Sequence, residues 1–159
     1  FEGYVHMKPK ACGDFGELYV TEKMTEEGHE VLPRLDPGHD RIIDGKKTEI
    51  KFGLASRRGE RERKRGMSPT IRNNFVINHV GRQKDWERLI FVCINEAEDK
   101  DEDDHLIRWF TKEDFCRTLK KFFNRQQGGK KGGNDDWMCS GSDLGRLLEH
   151  ELVKKIDEW

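Results

Sequence analysis

Residues 39–52 read HDRIIDGKKTEIKF, and this stretch decides how the rest of the chain is arranged. Asp44 and Gly45 lie between two runs that contain apolar residues. An Asp-Gly pair in that setting predicts a β-hairpin with a two-residue turn. The chemistry that the hairpin can support then depends on which side chains share a face.

Either two-residue loop brings the same three charged residues to one face of the hairpin. With loop residues 44–45, Asp40 lies opposite Glu49; with loop residues 45–46, Asp40 lies opposite Lys51. Opposed residues point the same way and alternate residues of a strand repeat a face, so the three side chains stay together in both registers. The other face carries the residues that are expected to be buried: Ile43, Thr48, Ile50 and Phe52.

Asp40 is favoured as the acid of the charged face, although two other aspartates compete with it. Asp44 has the same parity, but it sits at the turn, several residues from Glu49 along the strand. Asp36 belongs to an Asp-Pro-Gly turn signal that precedes the hairpin. A strand with alternating charges is also common on ordinary solvent-facing sheets, so the pattern alone leaves that interpretation open.

The rest of the sequence predicts one α/β (α+β) domain over residues 1–159, a central mixed β-sheet flanked by helices. The catalytic core is expected over about residues 13–110 and C-terminal helices over residues 111–159. Residues 89–94 are apolar throughout, which predicts a central strand covered on both faces. The other predicted strands are residues 29–35, with an edge position suggested by Pro33, and residues 75–80 and 105–110.

Three helices are expected from apolar residues at helical spacing. The first begins near Gly13, ends at Gly28 and buries Phe15, Leu18, Tyr19, Val20 and Met24. The second follows a sequence that resembles a capping box at residues 111–114 and buries Phe115, Leu119, Phe122 and Phe123. The last begins at residues 140–143 and buries Leu144, Leu147, Leu148, Leu152 and Ile156.

Composition permits a folded domain with a highly charged surface. The chain has 159 residues, of which 38% are charged and 33% hydrophobic, and its net charge of -1 neither favours nor excludes nucleic acid. Four cysteines stand too far apart for a zinc module; we interpret them as small core residues in a reducing, intracellular and cytoplasmic setting. No apolar run reaches bilayer length and no signal-peptide pattern is present, so no membrane partner is expected.

Residues 53–74 are strongly basic and directly follow the charged strand, and glycines and a proline predict a loop there. Such a run is often plain solvated surface, but Arg and Lys also supply most DNA affinity by neutralising phosphates. A glycine-rich loop is expected at residues 126–134, and the acidic residues 96–104 are expected to face away from DNA. The candidate DNA-binding residues are Arg57, Arg58, Arg61, Arg63, Lys64, Arg65, Arg72, Asn73, Asn74 and His79.

The charged face of the hairpin has the parts that phosphodiester hydrolysis needs. Carboxylates on adjacent strands, here Asp40 and Glu49, suit Mg²⁺, a hard ion that prefers oxygen ligands and leaves positions for water and phosphate. The carbonyl of Ile50 is a further candidate ligand. An ammonium beside such an ion, here Lys51, can hold the attacking water and stabilise the charge that develops on phosphate oxygens.

Asp40 followed by Glu49-Ile50-Lys51 resembles the D…ExK signature of the PD-(D/E)XK nuclease superfamily, which includes type II restriction endonucleases, Holliday-junction resolvases and repair nucleases. Residues 16–20 resemble the glutamate-bearing helix that precedes the hairpin in many members. The resemblance implies that Asp40 and Glu49 bind the metal, that Lys51 is the catalytic lysine and that Glu17 is an accessory acid. It also implies Mg²⁺ as the cofactor, with Mn²⁺ as a substitute.

The resemblance has limits that the residues show. His39, rather than proline, precedes Asp40, and Pro37 lies two residues earlier. The matching motifs cover residues 13–52; downstream, Asn78-His79 followed by residues 84–86 and a buried strand is similar only in layout to restriction-type members. The joint agreement of spacing, turn, face parity and preceding helix makes the motif informative.

The sequence therefore predicts a Mg²⁺-dependent endonuclease that cuts double-stranded DNA, of the sequence-specific type II restriction kind. One catalytic hairpin per chain and two strands to cut suggest a homodimer whose two-fold axis matches a palindromic site. Two alternatives stay open: a structure-specific nuclease of the junction-resolvase or repair type, and a non-catalytic DNA- or protein-binding module on the same fold.

Overall fold

The structure is a computed structural model that describes residues 9–54, 76–94, 105–125 and 136–159. The basic run at residues 57–74, the acidic connection and the glycine-rich loop lie outside the described residues. Among the described helices, none is long and apolar enough to cross a membrane.

A five-stranded mixed sheet carries the predicted hairpin, which confirms the expected α/β class. The helix α1 (Pro9–Glu26) precedes β1 (Val31–Pro33), β2 (Arg41–Ile43) and β3 (Lys46–Leu54), and the sheet is completed by β5 (Arg88–Ile94) and β6 (His105–Thr111). The strand order is β1-β2-β3-β5-β6. β3 and β5 are parallel, and the other neighbours are antiparallel. β1, which contains Pro33, lies at the edge as predicted.

The hairpin turn is formed by Asp44 and Gly45, the first of the two predicted loops. Ile43 pairs with Lys46, and both loop residues have positive φ, 51° at Asp44 and 78° at Gly45, as a type I′ turn requires. The Asp44 carboxylate accepts a hydrogen bond from the Glu30 amide at 3.0 Å. The turn is therefore fixed to the chain that leaves α1.

The central strand β5 separates two apolar cores, which confirms the prediction for residues 89–94. Because successive side chains alternate between faces, Leu89, Phe91 and Cys93 enter one core, and Ile90 and Val92 enter the other. All five are fully buried. The second of these cores packs under α1, and the first is covered by the C-terminal part of the chain.

The structure adds a second sheet that the sequence did not predict. β4 (Val76–Gly81) was expected in the central sheet, but it pairs with β8 (Asp136–Ser140), and β8 pairs with β7 (Asn124–Arg125). Residues 111–159 were predicted to form helices, but they also contain the strands β7 and β8. β8 is five residues long, too short for its alternation to be distinguished from the loop before it.

The two later helices are shorter than predicted. The helix α2 (Lys112–Arg117) is followed by a 3-10 turn at Leu119–Phe122, and Thr111 caps it by accepting from the Asp114 amide at 3.0 Å. The helix α3 (Gly141–Glu149) starts after Ser140, whose side chain makes no capping bond. Burial of Leu119, Phe115 and Phe123 agrees with the predicted stripe.

Four predictions for apolar residues need correction. Leu152 and Ile156 pack partly buried against the two cores, but they follow the end of α3 rather than continue it, because the chain turns there and Lys154 exchanges two 2.9 Å backbone hydrogen bonds with Trp109. Leu18 is 59% exposed. It lies two residues, or about 200° of helical rotation, from the buried Val20. Cys116 is exposed, whereas the other described cysteines, Cys93 and Cys139, are buried as predicted.

The replacement Gly16→Ala is expected to lower the free energy of unfolding by about 1–3 kcal/mol, because overpacking forces backbone shifts. A Cβ at Gly16 would lie 2.3 Å from the Cβ of Phe52, so α1 could no longer pack as closely against β3. Gly13→Ala is the matched control, since nothing lies within 4 Å of its added carbon, and alanine favours the helix by up to about 1 kcal/mol. Urea denaturation measures both variants, and equal stability would contradict this close approach.

Candidate active site

Asp40 is fixed against the strand that carries the other two predicted groups. Its amide donates to the Thr48 carbonyl at 2.9 Å, and its carboxylate oxygen Oδ2 accepts the Ile50 amide at 2.7 Å. The register of β2 and β3 ends with Arg41 opposite Thr48, so Asp40 lies just beyond it and is held by these two bonds. The predicted opposition of Asp40 and Glu49 does not appear in the strand register. The Ile50 amide lies between Glu49 and Lys51, so the Asp40 carboxylate reaches both.

Glu49 and Lys51 lie on one face of β3, as the alternation predicted. Glu49 Oε1 is 3.9 Å from Lys51 Nζ, and the two side chains are only 11% and 17% exposed. Among the described residues, Glu49 is the only acidic residue that is buried. Buried carboxylates are rare unless they are paired or hold a cation, so this position is specialised.

Glu17 reaches the same place from α1. Its carboxyl group neighbours that of Asp40, which contributes to the raised pKa of Glu17, and its Oε2 lies 3.4 Å from Arg41 Nη1. The helix is held there by Val20 and Met24, which are buried in the core beneath it. The structure thus brings together all four predicted catalytic residues, three from the hairpin and one from the helix.

Three neighbouring carboxyls cannot all be ionised in a half-buried site. Burial, followed by a hydrogen bond to Asp40 and its charge, raises the pKa of Glu49 to about 8. Burial and the same neighbour raise the pKa of Glu17 to about 7. Burial alone would raise the pKa of Asp40, but hydrogen bonds from Glu49, the Ile50 amide and Glu17 outweigh it and lower the pKa. Glu49 therefore keeps a proton more readily than Asp40 does.

The pKa of Lys51 is lowered from its ordinary value, mainly by burial. The charge of Lys84 acts in the same direction, whereas those of Glu49, Asp40 and Asp136 oppose it. Lys84 and Asp136 are thus additional charged neighbours that the sequence did not predict for the site. Lys84 lies in the turn after β4, and Asp136 begins β8. Their positions near the site depend on the pairing of these two strands.

His79 lies at an irregularity in the second sheet. The pairing of β4 with β8 shifts between Ile77 and Val80, and His79 has a positive φ of 53°. Bulges of this kind often lie beside functional sites and redirect side chains. The exposed His79 ring contacts Asp136, with Nδ1 3.2 Å from Oδ2. The other predicted DNA-binding residues lie outside the described residues: Arg57, Arg58, Arg61, Arg63, Lys64, Arg65, Arg72, Asn73 and Asn74.

The two competing aspartates are used elsewhere. Asp44 Oδ2 lies 2.6 Å from His29 Nδ1, and its Oδ1 accepts the Glu30 amide. Asp36 Oδ1 accepts the Gly38 amide at 2.8 Å within its own turn. The geometry agrees with the ranking of Asp40 over both.

Asp36, His39 and Asp85 form a separate cluster whose potential ligand atoms lie within 4.8 Å of one another. The ring of His39 is buried, and its Nε2 accepts the Leu35 amide at 3.3 Å. A neutral imidazole has one donor and one acceptor nitrogen, so the proton lies on Nδ1, which faces Asp36 Oδ1 at 3.4 Å. Nδ1 then carries a proton rather than a free lone pair, and among the described residues it makes no hydrogen bond, so the tautomer set by Leu35 does not suit a metal ligand.

The Asp40–Glu49 pair fits a divalent cation by its chemistry. The two carboxyls are close enough to share one hydrogen bond, so a single proton balances part of their charge. A hard cation prefers such oxygen donors and takes only one or two protein carboxylates. Ile50 contributes its amide to Asp40, and the role of its carbonyl as a ligand stays a prediction.

No protein-family model matches the chain, and a search of curated proteins finds no significant match.

Proposed function

We propose that this chain is a Mg²⁺-dependent DNA endonuclease of the PD-(D/E)XK type, with Mn²⁺ as a substitute metal. The observation that carries the proposal is the convergence of Asp40, Glu49 and Lys51, in which a buried carboxylate lies 3.9 Å from a nearly buried ammonium. Burial of such charged groups costs folding free energy, so a cluster of this kind is expected where it serves a function. Glu17, brought to Asp40 by a separate helix, supports the same function.

The charges of the site match the needs of phosphodiester hydrolysis. Asp40 and Glu49 would hold the cation, with Glu49 releasing the proton that it shares with Asp40. When bound, the cation supplies positive charge at the phosphate and makes water a stronger nucleophile near neutral pH. Glu17 contacts Asp40 and acts as the accessory acid that keeps the Asp40 carboxylate oriented.

Lys51 stabilises the charge that develops during the reaction. Its ammonium donates a hydrogen bond to a non-bridging phosphate oxygen, where negative charge accumulates as water attacks the phosphorus. Its side chain is 17% exposed, and exclusion of water strengthens charge interactions of this kind. The pair with Glu49 keeps the ammonium directed at the site before substrate binds.

Within this class we propose a restriction-type enzyme that acts on double-stranded DNA as a homodimer. One hairpin per chain cuts one strand, so two chains are needed for a double-strand break at a palindromic site. A cytoplasmic location is proposed because the described cysteines, Cys93, Cys116 and Cys139, are free thiols, which persist in reducing compartments.

Plasmid DNA incubated with the protein and Mg²⁺ is the direct test. Discrete fragments with a common end sequence are expected, and a chelator should prevent their formation. Preferential cutting of branched or flapped DNA over plain duplex would instead assign the structure-specific type. No metal-dependent cleavage of plasmid, single-stranded or branched DNA, with either Mg²⁺ or Mn²⁺, would overturn the proposal.

Added Mg²⁺ is expected to raise the melting temperature more at pH 8 than at pH 6. The pKa of Glu49 is raised to about 8 and that of Glu17 to about 7, from 4.5. At pH values between the ordinary pKa and the raised pKa of each group, the folded chain holds protons that the unfolded chain has released. The free energy of unfolding therefore falls as pH rises through this range. A cation must displace the Glu49 proton at pH 6 but meets less competition at pH 8.

Thermal melts with and without Mg²⁺ measure this difference. Glu49→Gln is the control, because it keeps the shape of the side chain and removes the competing ionisation. An equal Mg²⁺ shift in wild type and Glu49→Gln would place the cation elsewhere.

A further inference from the structure

The turn between β4 and β5 is held rigidly beside the candidate active site. Trp86 is 2% exposed, and its indole Nε1 donates to the Gly81 carbonyl at 2.8 Å. The Trp86 amide donates to the Lys84 carbonyl at 3.1 Å. The same carbonyl also accepts from the Lys112 ammonium. The backbone at Lys84 is therefore tied to the core on one side and to α2 on the other.

The side chain of Lys84 passes close to the backbone of Gly81. A Cβ added at Gly81 would lie 3.1–3.2 Å from Lys84 Cγ, Cδ and Cε, so three methylene carbons run closely past the glycine. That separation is tighter than ordinary van der Waals contact, and alanine would force the lysine to move. Gly81 therefore provides the space that sets the direction of the Lys84 side chain.

The ammonium of Lys84 is available to a ligand. The residue is exposed, and it forms no ion pair with the residues that the structure describes. The next residue, Asp85, lies 2.6 Å from Lys47 Nζ, which ties this turn to the strand that carries Glu49 and Lys51. The charge of Lys84 accordingly lowers the pKa of both residues. Lys51 differs, because its ammonium is already paired with Glu49.

A polyanion approaching this site meets Asp40, Glu49, Glu17 and Asp136. Acidic surroundings of this kind repel phosphate unless cations are placed among them. Lys84 offers a compact cation at the exposed rim, and an ammonium binds phosphate oxygens as a point charge.

We propose that Lys84 binds a backbone phosphate of the DNA substrate at the rim of the site, and that Gly81 positions it. The inference rests on the proposed nuclease function and assigns that site a binding residue from the second sheet. No covalent step involves Lys84: it holds one phosphate in place while the hairpin acts on the neighbouring linkage.

Lys84→Ala is expected to weaken binding of a labelled duplex about tenfold, the effect of losing one charge-assisted hydrogen bond. The slope of log affinity against log salt should shrink by about 1, because one fewer counterion is released. Binding is measured in a chelator, without divalent metal, so that cleavage does not interfere. Lys84→Arg should bind within about twofold of wild type, since the charge is retained.

Lys46→Ala is the matched control. It removes the same charge from an exposed lysine on the opposite face of β3, and it should keep the salt slope of wild type.

A double-mutant cycle tests the role of Gly81. Gly81→Ala alone should weaken binding about threefold by displacing the lysine, but it should add nothing in the Lys84→Ala background. An equal effect of Gly81→Ala in both backgrounds would overturn the positioning role, and melting curves check that each variant is folded.

The outcomes separate this inference from the proposed function. If wild type cuts DNA while Lys84→Ala binds with unchanged affinity and salt slope, the assignment of Lys84 is overturned and the nuclease proposal stands. If wild type neither binds nor cuts any DNA, both are overturned.

Discussion

Lys51→Met is expected to lower the single-turnover rate of DNA cleavage by about 10²–10³-fold, the usual effect of removing one preorganised group that stabilises transition-state charge. Methionine has a similar length and suits a side chain that is only 17% exposed, so the fold should be retained. DNA affinity should change less than the rate, because the charge at the reacting phosphate is largest in the transition state. The comparison of rate with affinity therefore isolates the role of this ammonium.

The matched control for this variant is Lys46→Met. Lys46 lies on the same strand but points to the other face, and it is exposed. Its replacement should leave the rate within about twofold of wild type, as expected for a surface lysine away from the site. A Lys51→Met rate within tenfold of wild type would show that Lys51 contributes no more than an ordinary contact, and would contradict its assignment.

The hairpin was predictable because its determinants are local. A two-residue Asp-Gly turn sets the register, and the period of two along a strand then fixes which side chains share a face. The shared face of Glu49 and Lys51 follows from these two rules, and Asp40 is then held beside them by its bonds to Thr48 and Ile50. β5 was predictable for a related reason, since a short, unbroken apolar run is typical of a strand buried on both faces.

The second sheet was not predictable, because its pairing is distant in sequence. Val76 in β4 pairs with Ser140 in β8. β4 itself was predicted as a strand, but β8 is only five residues long and shows no clear period. Lys84 and Asp136 reach the site only through that pairing. The same reason explains the C-terminal error: Leu152 continues the helical spacing, but the backbone bonds between Lys154 and Trp109 end the helical path.

Asp40→Asn should lower both Mg²⁺ affinity and the cleavage rate, the rate by about 10²–10⁴-fold, since loss of charge at the metal forfeits several kcal/mol of stabilisation. The asparagine oxygen can still accept the Ile50 amide, which donates to Asp40 at 2.7 Å, so the hairpin should keep its register. The variant also removes the charge that raises the pKa of Glu49, and that pKa should fall.

Asp44→Asn is the matched control, because Asp44 is an even number of residues from Asp40 along the hairpin but belongs to the turn. It weakens the contact with His29, where the carboxylate is 41% exposed, so the loss of stability should be below about 1 kcal/mol. Mg²⁺ affinity and cleavage rate should match wild type. An inactive Asp44→Asn beside an active Asp40→Asn would transfer the metal-binding acid to the turn, and the two-residue loop could then no longer explain how the site is built.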